Sequence, residues 1–166
     1  MNKNYPIFKG ELFEFIDRAG KATYTGGGKE VSKPQRPGFI ELEYSEGDLS
    51  YRDSYTGYVR SRGTETVRFK GKPIWISLYG GGMIEGKEDL AHQTFEFLKK
   101  AMLQNEEGYL SLRGPHKFES GDWSYKYDQE GDIFEFWGYE EIYYKGELVF
   151  FHRIIGGIVR DKDVEL

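Results

Sequence analysis

Cysteine is absent from this chain of 166 residues. That removes both a disulfide framework and a thiolate nucleophile, and it favours a reducing compartment, so a cytoplasmic location is expected. No apolar run approaches the roughly 18 residues of a membrane-spanning helix, and the opening MNKNYPIFKG lacks the apolar stretch of a signal peptide. Neither a membrane nor an export route is expected. Basic charge is also short: 23 Lys and Arg stand against 28 Asp and Glu, a formal net charge of −5. Affinity for phosphate backbones comes largely from clustered Lys and Arg, so direct nucleic-acid binding is not expected. The three histidines, His92, His116 and His152, fall on separate elements, and neither H-E-x-x-H nor an Asp-rich calcium loop is present. No metal or cofactor is assigned. TGGGKE at 25–30 lacks the G-x-x-x-x-G-K-[ST] spacing of a phosphate loop, and the G-x-S-x-G elbow of serine hydrolases is missing.

What the chain has in plenty is aromatic residues, with Phe 12, Tyr 13 and Trp 3 beside 22 glycines. Aromatics favour strands and glycines punctuate them, so the composition predicts a sheet-rich protein. A chain of this length can bury roughly 70% of its unfolded surface as one unit, and a single domain over 1–166 is expected. Much of it is written twice. GDLSY at 47–51 returns as GDWSY at 121–125, FKGKPIWISLYGGGMI at 69–84 aligns with YKGELVFFHRIIGGIV at 144–159, and FEFIDRA at 13–19 resembles FEFLKKA at 95–101. Three blocks in the same order point to a tandem duplication, with halves at about 11–84 and 88–160, rather than to chance reuse of Gly-Asp and Lys-Gly turns. The first half is longer by TGGGKEVSKPQRPG at 25–38, whose glycines and prolines read as a loop.

Each half predicts a helix followed by four strands. Leu12, Phe15, Ile16 and Ala19 share one helical face, as do Leu90, Thr94, Phe97, Leu98 and Ala101 within about 87–103. Strand-like stretches follow near 39–45, 48–56, 64–70 and 73–80, and again near 116–119, 122–128, 133–144 and 147–155, with Gly47, Gly71, Gly121 and Gly146 at the turns. Links this short favour antiparallel hairpins. The expected fold is α+β: a tandem duplication of a helix-plus-four-strand unit, giving a mostly antiparallel sheet with helices packed on one face.

Comparing the halves position by position singles out residues that break the pattern. Strand alternation puts Leu49, Tyr51, Asp53 and Tyr55 on one face, where the second half has Trp123, Tyr125 and Tyr127, so Asp53 stands at the place of Tyr127. A carboxylate among tyrosines costs stability unless it is bonded or neutralised. Glu65 shares a face with Val67 and Phe69, and Glu140 with Ile142 and Tyr144; His152 falls between Phe150 and Ile154, where the first half has Ser77 between Trp75 and Tyr79. The pattern predicts a ligand pocket on the sheet, walled by Tyr51, Tyr55, Trp75, Tyr79, Trp123 and Tyr125 and oriented by Asp53, Glu65, Glu140 and His152. The competing reading is structural, with inward acids held by Arg or Tyr hydroxyls and His152 a satisfied core residue. Charge also differs between the halves: 58–72 sums to +4 and 132–147 to −4. Such hairpins are expected either to attract, within the chain or across a homodimer, or to stay solvated without meeting.

GDLSYRDSY, GTETV followed by KGKPIW, then RGP, GDWSY, GYEEIYYKGE and the closing Gly-Gly together resemble a prokaryotic family of domains of unknown function, over about residues 11–160. Members of that family occur alone or C-terminal to a helix-turn-helix of the xenobiotic-response-element type, a segment not found in this sequence. Asp53, Tyr55, Glu65, Lys70, Gly71, Pro73, Trp75, Arg113, Gly114, Pro115, Glu140 and Lys145 fall on its motif positions, while Tyr58 stands where the pattern has a second glycine. The resemblance implies no particular activity, substrate or catalytic residue. It implies a sensor or interaction module, because a domain behind a DNA-binding head commonly reads a signal. In outline the doubled unit is also similar to the β-lactamase inhibitory proteins, a likeness of architecture alone.

These features favour a non-enzymatic module that holds a small molecule or peptide against the aromatic face, with no catalytic residue assigned. A hydrolase or isomerase using Asp53 or Glu65 as general base is one alternative. A protein–protein interaction module, pairing through an exposed face or edge, is the other.

Overall fold

The computed structural model describes residues 7–162. Helix α1 (Lys9–Ala22) precedes strands β1 (Ile40–Glu46), β2 (Leu49–Thr56), β3 (Arg60–Phe69) and β4 (Lys72–Met83). A single 3-10 turn (Glu88–Leu90) leads into helix α2 (Ala91–Met102), followed by β5 (Lys117–Ser120), β6 (Trp123–Asp132), β7 (Glu135–Tyr144) and β8 (Glu147–Ile158). The eight strands form one sheet in the order β1-β2-β3-β4-β8-β7-β6-β5, and every neighbouring pair is antiparallel. Each set of four is a meander, and the two meet where β4 pairs with β8, Tyr79 opposite Ile154.

The α+β expectation is thereby corrected to a mainly-β fold. The helices are single short elements of 14 and 12 residues rather than a layer. Strands β4 and β8 run 12 residues each, and β3, β6 and β7 run 10 each. The reason is turn length. Tight hairpins leave nearly every residue between two tips in a ladder, whereas each helical pattern persists for only three or four turns.

Each helix buries one stripe, Leu12, Phe15, Ile16 and Ala19 in α1 and Ala91, Thr94, Phe97, Leu98 and Ala101 in α2. The apolar members of these stripes join Tyr51, Val67, Trp75, Tyr125, Phe136 and Phe150 in one core, and burial at about 25 cal/mol per Å² makes that cluster the main stabilising term. The repeated motifs are hairpin tips. In Lys70-Gly71 and Lys145-Gly146 all four residues have positive φ, between 50° and 81°, as a two-residue type I′ turn requires. Each of these tips is tied to the Gly-Asp tip beside it, with Lys70 N–H donating to the Asp48 carbonyl at 2.8 Å and Lys145 N–H to Asp122 at 2.7 Å. The 25–38 segment is a loop that touches β1 by the Glu30–Leu42 bridge, and its Gln35 N–H donates to the buried Glu41 carboxylate at 2.9 Å. Among the described residues no helix is long and apolar enough to cross a membrane.

Candidate functional site

Ladder register assembles the site. Asp53 lies opposite Glu65 and Glu65 opposite Ser77; in the other half Tyr127 lies opposite Glu140 and Glu140 opposite His152. Cross-strand partners point the same way, so each set forms a transverse row on the core side of its half of the sheet, the two rows offset where β4 meets β8, with Ser77 opposite Gly156 and His152 opposite Gly81.

In the second half the row is closed. Arg113, from the Arg-Gly-Pro turn before β5, grips Glu140 through Nε to Oε1 at 3.2 Å and Nη2 to Oε2 at 3.0 Å. The Tyr125 hydroxyl donates to Oε1 at 2.8 Å. His152 places Nδ1 3.4 Å from Oε2 and Nε2 3.1 Å from the Ser61 hydroxyl. Burial alone raises the Glu140 carboxyl, but the Arg113 charge and His152 outweigh it and hold the group at about 2. Burial pushes His152 below its ordinary value against the pull of Glu140, so its imidazole is neutral at pH 7. The structural reading thus describes the surroundings of Glu140, whereas among the described residues the buried Nδ1 of His152 has no hydrogen-bond partner.

In the first half the row is open. The Tyr51 hydroxyl donates to Glu65 Oε1 at 2.7 Å, matching the Tyr125 bond to Glu140, but among the described residues no guanidinium clamps Glu65. Asp53, only 4% exposed, faces it instead. Asp53 Oδ1 accepts from the Tyr79 hydroxyl at 2.8 Å. Burial, and then the Glu65 charge, pushes the Asp53 carboxyl up to about 7 against the Tyr79 bond and Arg113. Burial and the neighbouring carboxylates also push the phenols of Tyr51 and Tyr79 up, so both remain donors.

Beside this acid pair lies a cavity of about 190 Å³. Of the residues singled out in the sequence, Tyr51, Asp53, Tyr55, Glu65, Tyr79 and His152 line it from the sheet. Tyr24, Tyr58, Phe95, Lys99 and Arg113 bound it from the end of α1, the β2–β3 turn, α2 and the β5 approach. Tyr58, which replaces a glycine of the resembled pattern, packs its ring edge-on against Phe95 at 5.0 Å. Four expected residues lie elsewhere. Trp75 is fully buried, stacks on Phe136 at 6.0 Å and donates its indole N–H to the Ile133 carbonyl at 2.9 Å. Trp123 sits at the start of β6 against Phe97 and Tyr144, while Tyr125 and Glu140 belong to the closed row. Alternation assigns a side chain to a face; it does not say how far along the strand a cavity opens. Sequence reasoning also missed Arg113 as a site residue, although a buried Glu140 requires a cation. Tyr24, Tyr58, Ser61, Phe95 and Lys99 carry no comparable signal. Among the described residues no group of three or more His, Asp or Glu side chains is placed to hold a metal ion.

The model of a family described as Domain of unknown function (DUF5680) matches residues 53–159, a span running from Asp53 past His152. No curated protein and no solved structure matches the chain.

Proposed function

This chain belongs to the DUF5680 family, whose description assigns no activity, and we propose that it is a non-enzymatic binding module, a small-molecule sensor whose ligand enters the cavity beside Asp53. The observation that carries this reading is the asymmetry of the two rows. Glu140 is sealed by Arg113, whereas Asp53 and Glu65 face each other at a cavity with tyrosine walls. An acid pair in apolar surroundings costs stability, and positions that sacrifice stability are where binding resides. A cavity of about 190 Å³ suits a ligand of about one ring. The test is a metabolite screen by thermal shift and protein-observed NMR, with Asp53→Asn as control. A melting increase that the variant abolishes supports the reading. A screen in which no compound perturbs Tyr51, Tyr55 or Tyr79 counts against it.

One observation favours a second reading. A carboxyl held near neutrality can take and return a proton at pH 7, which suits a hydrolase or isomerase with Asp53 or Glu65 as base. Conversion of a bound compound, followed by mass spectrometry and lost in Asp53→Asn, would put catalysis in place of binding.

The reading extends to the setting: the cytoplasm of a prokaryote, with the module alone or behind a helix-turn-helix regulator, as the motif resemblance suggests. A second copy of the chain is the partner assigned to the outer face of the sheet. Tandem duplication is the proposed origin of the halves, supported by the matched Lys-Gly turns and the matched Tyr51–Glu65 and Tyr125–Glu140 bonds.

A further inference from the structure

The two rows pose the same electrostatic problem and solve it differently. Three carboxyls, Asp53, Glu65 and Glu140, converge on a region that holds one guanidinium, and Glu140 takes that guanidinium in a two-point grip. Glu65, at the position matching Glu140, receives a tyrosine hydroxyl but no clamp. Its row neighbour is Asp53, where the other half has Tyr127. Lys99, the other basic residue at the cavity, is on the rim with its ammonium 3.2 Å from Glu96. Arg113 acts on the Asp53–Glu65 pair only through space and bonds neither carboxyl, so the partly buried pair stays unfavourable and a positive group placed between the two carboxyls would relieve it.

We propose that the ligand of this cavity is a small organic cation, a protonated amine or guanidinium on a body of about one ring, whose charge sits between Asp53 and Glu65 as Arg113 sits on Glu140. The inference rests on the binding reading above and names the chemistry of its ligand. The walls suit that charge as well as the acids do. Cations are attracted to aromatic faces within about 6 Å of the ring centre, and two rings of this cavity already face the chain's own cations: Lys99 Nζ lies 5.9 Å from the Tyr24 centroid, and Arg113 Cζ 5.6 Å from that of Tyr79. An anion would bring like charge against the pair, and a neutral body would leave the pair unanswered.

Proton linkage supplies a signature. The ionisable groups that line the cavity with Asp53 are Glu65 from β3, Tyr51 and Tyr55 from β2, Tyr58 from the β2–β3 turn, Tyr79 from β4, His152 from β8, Arg113 before β5, Tyr24 after α1 and Lys99 from α2. With Asp53 pushed up to about 7, a cation that enters the pair displaces its proton. Cation affinity therefore rises between pH 6 and pH 8 and protons are released, whereas an anion would draw protons in.

The test titrates the full chain with benzylamine, phenethylamine and choline, against benzyl alcohol and benzoate as neutral and acidic controls. Calorimetry at pH 6 and pH 8, in buffers of different ionisation heat, reads affinity and proton release together. N-acetyl-lysine amide and an arginine-containing tripeptide form a separate arm that distinguishes a peptide side chain from a free amine. Benzylamine is expected to bind about tenfold or more tightly than benzyl alcohol. That ratio should fall below about twofold in Asp53→Asn/Glu65→Gln, or in Asp53→Asn alone should the double variant not fold. Equal or tighter binding of benzyl alcohol or benzoate, or a preference that survives these variants, overturns the cation and leaves the binding reading standing. If no compound of any charge at about 10 mM shifts the NMR signals of the cavity tyrosines, both fall together.

Discussion

Asp53 and Glu140 lie in the matching rows of the two halves, yet their protons pull stability in opposite directions. The Glu140 carboxyl is held at about 2, below its ordinary 4.5, so its contribution is present above pH 4.5 and lost as pH falls toward 2. Asp53 is the reverse. With a folded value of about 7 against 3.8, the folded chain keeps a proton that the unfolded chain has released, so its contribution declines as pH rises from 3.8 through 7. Asp53→Asn keeps the shape without the charge, and it is expected to raise stability at pH 8 by on the order of 2 kcal/mol while changing little at pH 4. Thermal melts at both pH values check this, and variants Asp53→Asn and Asp53→Leu that both melt lower at pH 8 would show a structural acid. Arg113→Ala carries the opposite expectation. It leaves Glu140 buried without a counter-charge and should cost about 3–5 kcal/mol in denaturant unfolding at pH 7, with Arg113→Lys recovering only part because an ammonium cannot make the two-point grip. A loss below about 1 kcal/mol would mean that His152 and Tyr125 suffice to hold the acid. Asp53 was legible because the internal repeat supplied Tyr127 as a control at its position. Arg113 was not: it lies in a turn with no period, and its partner is 27 residues away in sequence.

At the scale of elements, the hairpin tips invite a direct test. Lys70 and Lys145 sit at φ of 50° and 51°, a region that costs a lysine roughly 1 kcal/mol and that asparagine tolerates better. Lys70→Asn and Lys145→Asn should each raise the melting temperature by a few degrees. Their ammonium groups lie 3.5 and 3.9 Å from Asp48 and Asp122 on exposed surface, pairs contributing about 0–1 kcal/mol at most. Lower melting of both variants would show that those pairs outweigh the backbone term. The turns could be read from Gly-Asp and Lys-Gly, and so could the succession of four strands along each half, though not the joining of the halves through β4 and β8. Strand ends could not. The pattern stops β4 near 80 and β8 near 155, whereas they run to Met83 and Ile158, because Gly81 and Gly157 look like breakers. In the sheet they mark close approach: a Cβ on Gly81 would meet the Phe151 carbonyl oxygen at 2.0 Å, and one on Gly157 that of Phe134 at 2.3 Å. The same pattern implied a helix layer, because helical periodicity reports that an element exists and not how much of the fold it makes up.

Across the whole molecule, the opposed charges of the halves cannot meet within one chain. Strand order puts β3 third from one edge and β7 third from the other, with β4 and β8 between them. At roughly 4.8 Å per strand that is about 14 Å, beyond the screening length of about 8 Å at physiological salt. No ion pair among the described residues joins 58–72 to 132–147, and the partners of Glu140 and Glu147 lie outside the basic segment. Alternation turns Arg60, Arg62 and Arg68 of β3, and Glu135 and Glu141 of β7, to the outer face. Between them runs an apolar row, Leu78 opposite Ile155 and Ile155 opposite Trp137, with exposures of 49%, 59% and 50%. A second copy turned over about an axis along the β4–β8 seam would lay β3 on β7 twice and cover that row, the self-complementary contact of a two-fold dimer. Light scattering should therefore show self-association that weakens as sodium chloride rises from about 50 to about 500 mM, since the rim pairs are screened. Ile155→Arg should abolish it at either salt by placing charge in the middle of the covered row, while leaving the cavity on the other face and its ligand titration unchanged. A chain that stays monomeric at low salt, or a dimer indifferent to salt and to Ile155→Arg, would remove the second copy from this face.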